Sequence, residues 1–173
     1  DFLDTALQKR NRPLVVHSPK IPRTDFTIES SGLFNTHTRA NIKIQDGCNF
    51  VCSFCIIVKA RGPARSRDFD DLMAEARQLV AAGFKELILT GVNIGTYFQN
   101  GKTFIDLLQA LEKINGLQRI RISSIEPTTV TKNLIDYMAS SDKICRYLHI
   151  PLQSGDDRIL ESMRRKHTAA DFK

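Results

Sequence analysis

The chain has 173 residues, of which 42% are hydrophobic and 25% are charged, as in an ordinary globular protein. It has no apolar run near the ~18 residues of a membrane span, no charged-then-apolar leader, and only four cysteines, too few for a disulfide scaffold. We therefore expect a cytoplasmic protein with no membrane segment. The net charge of +6 favours a polyanionic partner, nucleic acid first, although charge alone is a weak indicator.

The first 40 residues are predicted to lie outside the compact domain. Residues 1–12 have the periodicity of a helix end, which Pro13 terminates. Residues 13–40 contain Pro13, Pro19 and Pro22 with no sustained period, which predicts an extended linker with a short strand at most. The domain is expected to span residues 41–173.

Within that domain, strands and helices alternate. The predicted strands are residues 42–45, 86–90, 119–124 and 147–150. The predicted helices are residues 68–82, a helix that opens at Thr103, residues 131–139 and a helix from Asp156. Repeated strand–helix units predict an α/β fold with parallel strands, and about 33 residues per unit suits an incomplete (β/α) barrel.

Apolar and polar residues alternate along three of these strands, as in Ile42-Lys43-Ile44-Gln45 and Arg119-Ile120-Arg121-Ile122. Parallel strands buried on both faces are continuously apolar, so alternation is unusual here. The apolar face is predicted to carry the helices. The polar face would line a lumen that holds a polar ligand or, alternatively, would be the solvated face of an open sheet.

Three cysteines, Cys48, Cys52 and Cys55, follow the first strand with the spacing C-x3-C-x2-C. An odd trio is unsuited to disulfides, and a structural zinc site normally takes four ligands in two pairs. Cys145 precedes the fourth strand and is therefore expected at the opposite edge of the sheet. The remaining interpretation is a cubane iron–sulfur cluster with three protein ligands and one open iron.

Other loops are expected at the same edge, because ligands of parallel α/β folds lie beyond the carboxyl ends of the strands. These loops are Thr90-Gly-Val-Asn-Ile-Gly, Ser123-Ser-Ile-Glu-Pro and Gln153-Ser-Gly. A basic run after the cysteines contains Lys59, Arg61, Arg65 and Arg67, and we expect it to contact phosphates. The position of a second basic group, residues 164–167, is not fixed by the sequence.

A family resemblance rests on motifs that run along residues 38–172. They include Lys43-Ile-Gln-Asp-Gly-Cys-Asn, Cys52-Ser-Phe-Cys-Ile-Ile, Arg65-Ser-Arg-Asp, Leu89-Thr-Gly-Val-Asn, Arg119-Ile-Arg-Ile-Ser-Ser-Ile-Glu-Pro, Leu148-His-Ile-Pro-Leu-Gln-Ser-Gly and Met163-Arg-Arg-Lys-His-Thr. With these motifs the chain resembles the methylthiotransferase branch of the radical S-adenosylmethionine (SAM) enzymes. Ala60-Arg-Gly and Ser123-Ser-Ile-Glu look most like the branch that acts on N6-threonylcarbamoyladenosine beside the tRNA anticodon.

The resemblance implies a radical SAM partial barrel with a [4Fe-4S] cluster on Cys48, Cys52 and Cys55. It implies SAM contacts from six residues: Thr90, Gly91, Asn93, Ser124, Glu126 and Gln153. The implied reaction adds a methylthio group to C2 of the nucleoside, with tRNA and an electron donor as partners. The resemblance assigns no catalytic side chain.

The same resemblance implies further parts, which we expect to lie outside this sequence. Residues 1–12 would be the tail of an N-terminal domain with a second [4Fe-4S] cluster, and a small RNA-binding β-barrel would follow the core.

Other functions stay open at this point. Sister branches act on isopentenyladenosine in tRNA or on a ribosomal-protein aspartate. A metal-stabilised RNA-binding module without turnover and an electron-transfer protein are alternatives from other classes.

Overall fold

The computed structural model describes residue 26 and residues 38–173. The strands are β1 (Arg39–Lys43), β2 (Gln45–Asp46), β3 (Arg65–Ser66), β4 (Glu86–Thr90), β5 (Phe98–Gln99), β6 (Lys102–Thr103) and β7 (Arg119–Ile122). The helices are α1 (Ile57–Arg61), α2 (Phe69–Ala81), α3 (Phe104–Glu112), α4 (Lys132–Ser140), α5 (Asp157–Ser162) and α6 (Ala169–Phe172). Single 3-10 turns cover Ile94–Thr96 and Pro127–Thr129.

The central sheet has three parallel strands in the order β1-β4-β7. Its two faces differ as the sequence predicts. Ile42, Leu87, Leu89, Ile120 and Ile122 are fully buried on the face that carries the helices. The other face carries polar side chains, so the α/β class and the two-faced sheet are confirmed, and the sheet is not closed within the described residues.

An ionic cluster around the buried carboxylate of Glu86 lies on the polar face near the amino ends of the strands. The Glu86 carboxylate accepts hydrogen bonds from Arg119 Nε at 2.9 Å and from Arg121 Nε at 2.8 Å, and Arg39 lies 3.7 Å away. Burial raises the pKa of Glu86, but the hydrogen bonds and charges of these arginines outweigh it and hold the pKa below its ordinary value. The cluster therefore cross-links all three strands.

Helix α2 packs where its apolar periodicity places it. In α2 the residues Leu72, Met73, Ala76, Leu79 and Val80 are buried. The Asp68 carboxylate caps this helix by accepting from the amides of Asp70 and Asp71. Gly83 follows with φ +103°, a conformation that ends the helix at little cost only for glycine.

Two predicted strands differ from the structure. Residues 147–150 form no strand: the chain before and within this segment pairs with β7 and the loop after it only at two isolated bridges, Ile120–Ile144 and Ser124–His149. Between these bridges the Tyr147 amide donates to the Cys145 carbonyl at 2.7 Å, a local bond that interrupts the ladder. The first strand ends at Lys43, and Gln45 and Asp46 pair with Arg65 and Ser66 instead.

The predictions for residues 1–12 and for most of the linker lie outside the described residues. Within the described part of the chain, no helix is long and apolar enough to cross a membrane.

Candidate metal and cofactor site

The cysteine loop begins directly after β2 and is anchored to two other segments. The Cys48 amide donates to the Gly62 carbonyl at 3.1 Å, where α1 ends. The Ser53 amide and hydroxyl donate to the carbonyls of Met163 and Ser162, both at 3.1 Å, at the end of α5. A Cβ atom at Gly47 would lie 2.1 Å from the Pro63 carbonyl oxygen, so only glycine fits before Cys48. The fold therefore fixes both ends of the loop.

The three cysteines differ in exposure. Cys52 is buried, Cys48 is half-buried and Cys55 is exposed, and all are free thiols. Burial raises the pKa of Cys48 above its ordinary value; an amide hydrogen bond from Phe50 opposes this, and nearby Glu126, Cys52 and Cys55 reinforce it. Across the described residues, no three His, Cys, Asp or Glu side chains form a group that could hold a metal ion. That finding concerns a single metal ion, whereas a cubane cluster binds each of its cysteines through a different iron.

Arg165 connects the cysteine loop to the loop after β7. Its side chain is 3% exposed and donates from Nη1 to Cys52 Sγ at 3.4 Å. The same guanidinium pairs with the Glu126 carboxylate through both terminal nitrogens. Its Nε is buried without a hydrogen-bond partner. Glu126, an expected SAM contact, is thus already held beside the cysteines.

The glycine loop after β4, residues 90–95, lies beside the cysteine loop. The amides of Val92 and Asn93 both donate to Gln45 Oε1 at 2.9 Å. Asn93 is 1% exposed; its Oδ1 accepts from Thr129 at 3.3 Å, while its Nδ2 is buried without a partner. An orphaned buried donor is costly unless a ligand satisfies it. Asn93 therefore fits the role of a ligand contact.

The other expected SAM contacts are placed as follows. The Thr90 hydroxyl donates to the Ile42 carbonyl at 3.2 Å, inside the β1–β4 pair. Ser124 Oγ lies 2.9 Å from His149 Nδ1. Gln153 is exposed and has φ +68°. Gly91 is tightly packed: a Cβ there would lie 2.9 Å from the Gln45 carbonyl oxygen. Its lack of a side chain is thus required by packing within the protein.

Cys145 lies at the other edge of the sheet, as its sequence position predicts. Its amide donates to the carbonyl of Ile120, near the amino end of β7, at 2.9 Å. It is therefore unsuited to act as a fourth ligand to the cysteine loop.

The predicted phosphate-binding run divides into exposed and buried residues. Lys59 and Arg61 are exposed, while Arg65 is mostly buried and donates to Asp46 at 3.0 Å. Asp46 also accepts from Arg61 at 3.1 Å and from Lys43 at 3.0 Å. Burial raises the pKa of Asp46, but these cations and the Gly47 amide outweigh it and hold the pKa far below its ordinary range.

The burial of Arg67 contradicts the prediction that this residue binds phosphate. Its side chain is 1% exposed and forms ion pairs with Asp71, at 2.7 Å, and with Glu75. It also donates to the Lys43 carbonyl at 3.5 Å. A guanidinium buried this deeply and paired with two carboxylates tethers α2 to β1 and does not reach a polyanion at the surface.

The residues fit an iron–sulfur cluster and SAM in chemistry and placement. Three free thiols lie on one loop at the carboxyl edge of the sheet, as cluster ligation requires. Two buried donors without partners, Asn93 Nδ2 and Arg165 Nε, belong to residues of the site at this edge. The assignment of the six SAM contacts and three ligands stays a prediction.

The sequence does not reveal the roles of two residues of the site. It predicts Gln45 only as a polar strand residue, and the signal that Gln45 bridges two loops lies in tertiary contacts. Arg165 lies within the basic group 164–167, of which Arg164 and Lys166 are exposed. A buried charge among exposed ones has no signature in composition.

Comparison with known proteins gives a consistent result. The sequence model described as the Radical SAM superfamily matches residues 42–173. Threonylcarbamoyladenosine tRNA methylthiotransferase MtaB of Bacillus subtilis (strain 168) is 49% identical over 142 residues, which are 80% of this chain and 32% of that protein. The tRNA-2-methylthio-N(6)-dimethylallyladenosine synthase of Carboxydothermus hydrogenoformans is 44% identical over 133 residues, which are 75% of this chain and 30% of that protein. The chain thus spans about a third of the length of these relatives.

Among solved structures, the radical SAM methyltransferase TsrM of Kitasatospora setae, with tryptophan and a SAM analogue bound, superposes with a TM-score of 0.66. It is 17% identical, and the match covers 87% of this chain and 31% of TsrM. At this identity the likeness shows the fold alone.

Proposed function

Because the chain belongs to the radical SAM superfamily, whose enzymes use a [4Fe-4S] cluster and SAM, we propose that it is the cluster- and SAM-binding part of a tRNA methylthiotransferase. The observation that carries the proposal is the C-x3-C-x2-C loop at the carboxyl edge of a parallel sheet, next to a loop with an orphaned buried donor. The names of the similar proteins support the reaction class.

In this proposal Cys48, Cys52 and Cys55 hold the cluster and leave one iron open for SAM. A bound cluster of this kind supplies the electron that cleaves the sulfonium carbon–sulfur bond of SAM. The chain's own residues bind SAM and orient it. Asn93 Nδ2 is the donor with free capacity in the glycine loop, and Glu126 is the carboxylate that Arg165 holds in place.

The proposed substrate is N6-threonylcarbamoyladenosine in tRNA, and the product carries a methylthio group at C2. The support is the identity to MtaB of Bacillus subtilis, 49%, against 44% to the dimethylallyladenosine enzyme. Since both relatives are similar over the same core, the dimethylallyladenosine substrate is the alternative that the experiment must separate. We expect the sulfur to come from a second cluster bound outside residues 38–173.

The tRNA would reach the site past Lys59 and Arg61, which lie exposed on α1 directly after the cysteines. Arg61 is held by Asp46, so its guanidinium is already oriented when a phosphate arrives. An electron donor completes the set of proposed partners.

The proposal is tested with the full-length protein, purified and reconstituted anaerobically, then given dithionite and SAM. We expect 5′-deoxyadenosine, and tRNA nucleosides from a knockout strain should lack the methylthio group on threonylcarbamoyladenosine alone. Loss of the methylthio group from the dimethylallyl nucleoside would support the sister branch. Zinc in place of iron, no 5′-deoxyadenosine and tight tRNA binding would refute the enzyme and favour an RNA-binding module.

A further inference from the structure

Gln45 is a fully buried polar residue between the two loops of the candidate site. Its side-chain amide uses all of its hydrogen-bonding capacity, which for glutamine is two donors and two acceptor positions. Nε2 donates to the carbonyls of Asp46 at 2.9 Å and Gly47 at 2.8 Å. Oε1 accepts from the amides of Val92 and Asn93. One side chain thus holds the start of the cysteine loop and the middle of the glycine loop.

The backbone around Gln45 explains why a side chain makes this connection. The β1–β4 pairing ends with the bond from the Ile44 amide to the Thr90 carbonyl at 2.9 Å. The main chain then turns to pair with β3, where Gln45 lies opposite Ser66. The amide group of Gln45 takes over the link to the β4 side that its backbone no longer makes.

The packing around Gly91 shows how closely the glycine loop approaches Gln45. A Cβ at this position would lie 2.8 Å from Ile94 Cγ2 within the loop, 2.9 Å from the Gln45 carbonyl oxygen and 3.0 Å from Gln45 Oε1. A methyl group there can be accommodated only if Gln45 or the loop moves. The glycine loop therefore fits against Gln45 without room for a side chain.

We infer that Gln45 is the positioning residue that couples the cysteine loop to the glycine loop. A disturbance of either loop is transmitted through its amide, because the carbonyl of Gly47 directly precedes Cys48. The inference rests on the proposed function in that the two loops then hold the cluster and SAM. The amide of Gln45 is fully used by bonds within the protein, so the residue acts through the loops.

The coupling is tested in the metal-free protein, so that the result does not depend on the proposed function. The rate at which iodoacetamide labels Cys48 in the metal-free full-length protein is measured by mass spectrometry, with folding checked by circular dichroism. Gly91→Ala should raise this rate on the order of tenfold, since it disturbs two or more hydrogen bonds of ordinary strength. Gly155→Ala is the control, because a Cβ there has no atom within 4 Å.

A double-mutant cycle then identifies the route. Gln45→Met should itself raise the labelling rate, and adding Gly91→Ala to it should have no further effect. Gln99→Met is the matched control, because Gln99 is also buried and its hydrogen bonds, to Asp68 and the Phe69 amide, involve neither of the two loops. The inference is refuted if Gly91→Ala leaves the labelling rate of Cys48 unchanged. It is also refuted if Gly91→Ala raises that rate by the same factor in the wild type and in Gln45→Met. Should Gln45→Met not fold, the comparison of Gly91→Ala with Gly155→Ala decides.

The metal-loaded protein gives a second readout. Gln45→Met should keep its cluster but need about tenfold more SAM to change the spectrum of the reduced cluster. Absence of a cluster in the wild type would refute the proposed function alone, whereas an unchanged SAM requirement would refute the coupling alone.

Discussion

Arg165 donates a hydrogen bond to the sulfur of Cys52 at 3.4 Å while its other terminal nitrogen pairs with Glu126. The contact joins the cysteine loop to a residue 113 positions later in the chain. Hydrogen bonds to ligand sulfurs and nearby positive charge raise the reduction potential of an iron–sulfur cluster. The position of Arg165 therefore has a measurable electrochemical consequence.

Replacing Arg165 by methionine should lower the reduction potential of the cluster. The substitution removes a cation and a donor from Cys52 and leaves the Glu126 charge uncompensated beside it. A redox titration followed by electron paramagnetic resonance measures the potential. Arg164→Met is the control, because Arg164 is adjacent but exposed. Equal potentials in the two variants would contradict the role assigned to Arg165.

Glu86 should make the stability of the fold depend on pH. Its pKa is lowered in the folded state, so the ionised carboxylate stabilises the fold above the ordinary glutamate value of about 4.3. That stabilisation is lost as the pH falls through the folded-state pKa. Glu86→Gln should cost about 1–2 kcal/mol at pH 7, since its arginine partners are partly exposed.

The difference between wild type and Glu86→Gln should shrink in acid, because the stabilisation is lost as the pH falls through the lowered pKa of Glu86. Chemical denaturation at about pH 7 and pH 3 measures it. Glu161→Gln, at an exposed position, should leave the free energy of unfolding unchanged at both pH values. A cost for Glu86→Gln that is the same at both pH values would show that its charge does not matter.

Lys59 and Arg61 should contribute to tRNA binding through charge. Lys59→Gln and Arg61→Gln are each expected to weaken binding and to reduce the slope of log affinity against log salt by about one. Binding of the full-length protein to tRNA over a salt series measures the slope. Lys113→Gln, an exposed substitution at the end of α3, is the control. An unchanged slope in both test variants would place the tRNA elsewhere.

The regular elements were largely predictable because local signals agree with packing. For α2 the capping carboxylate of Asp68, the apolar stripe and Gly83 all indicate the same bounds, and the structure has them. Ile135 shows the limit: its spacing on α4 predicts burial, yet it is 45% exposed. Periodicity identifies an apolar face but does not show whether the described chain supplies a surface to cover it.

The site was predictable in outline and not in its connections. The cysteines and the loops after β4 and β7 come to one edge because parallel strands align their carboxyl ends. The prediction that Arg67 contacts phosphates was wrong, since a basic run does not reveal that one of its members is buried and paired with Asp71 and Glu75. Gln45 and Arg165 act through contacts between distant segments, which spacing alone does not encode.

The central claim is that Cys48, Cys52 and Cys55 together hold a cluster that SAM can reach, and single serine variants of the four cysteines test it most directly. The measurement is the change that SAM causes in the paramagnetic resonance spectrum of the reduced, reconstituted full-length protein, together with its iron content. The account predicts that wild type and Cys145→Ser show the change. Cys48→Ser, Cys52→Ser and Cys55→Ser should each lose the change and about four irons per chain. Retention of the SAM-dependent change in any of these three variants, or its loss in Cys145→Ser, would contradict the account.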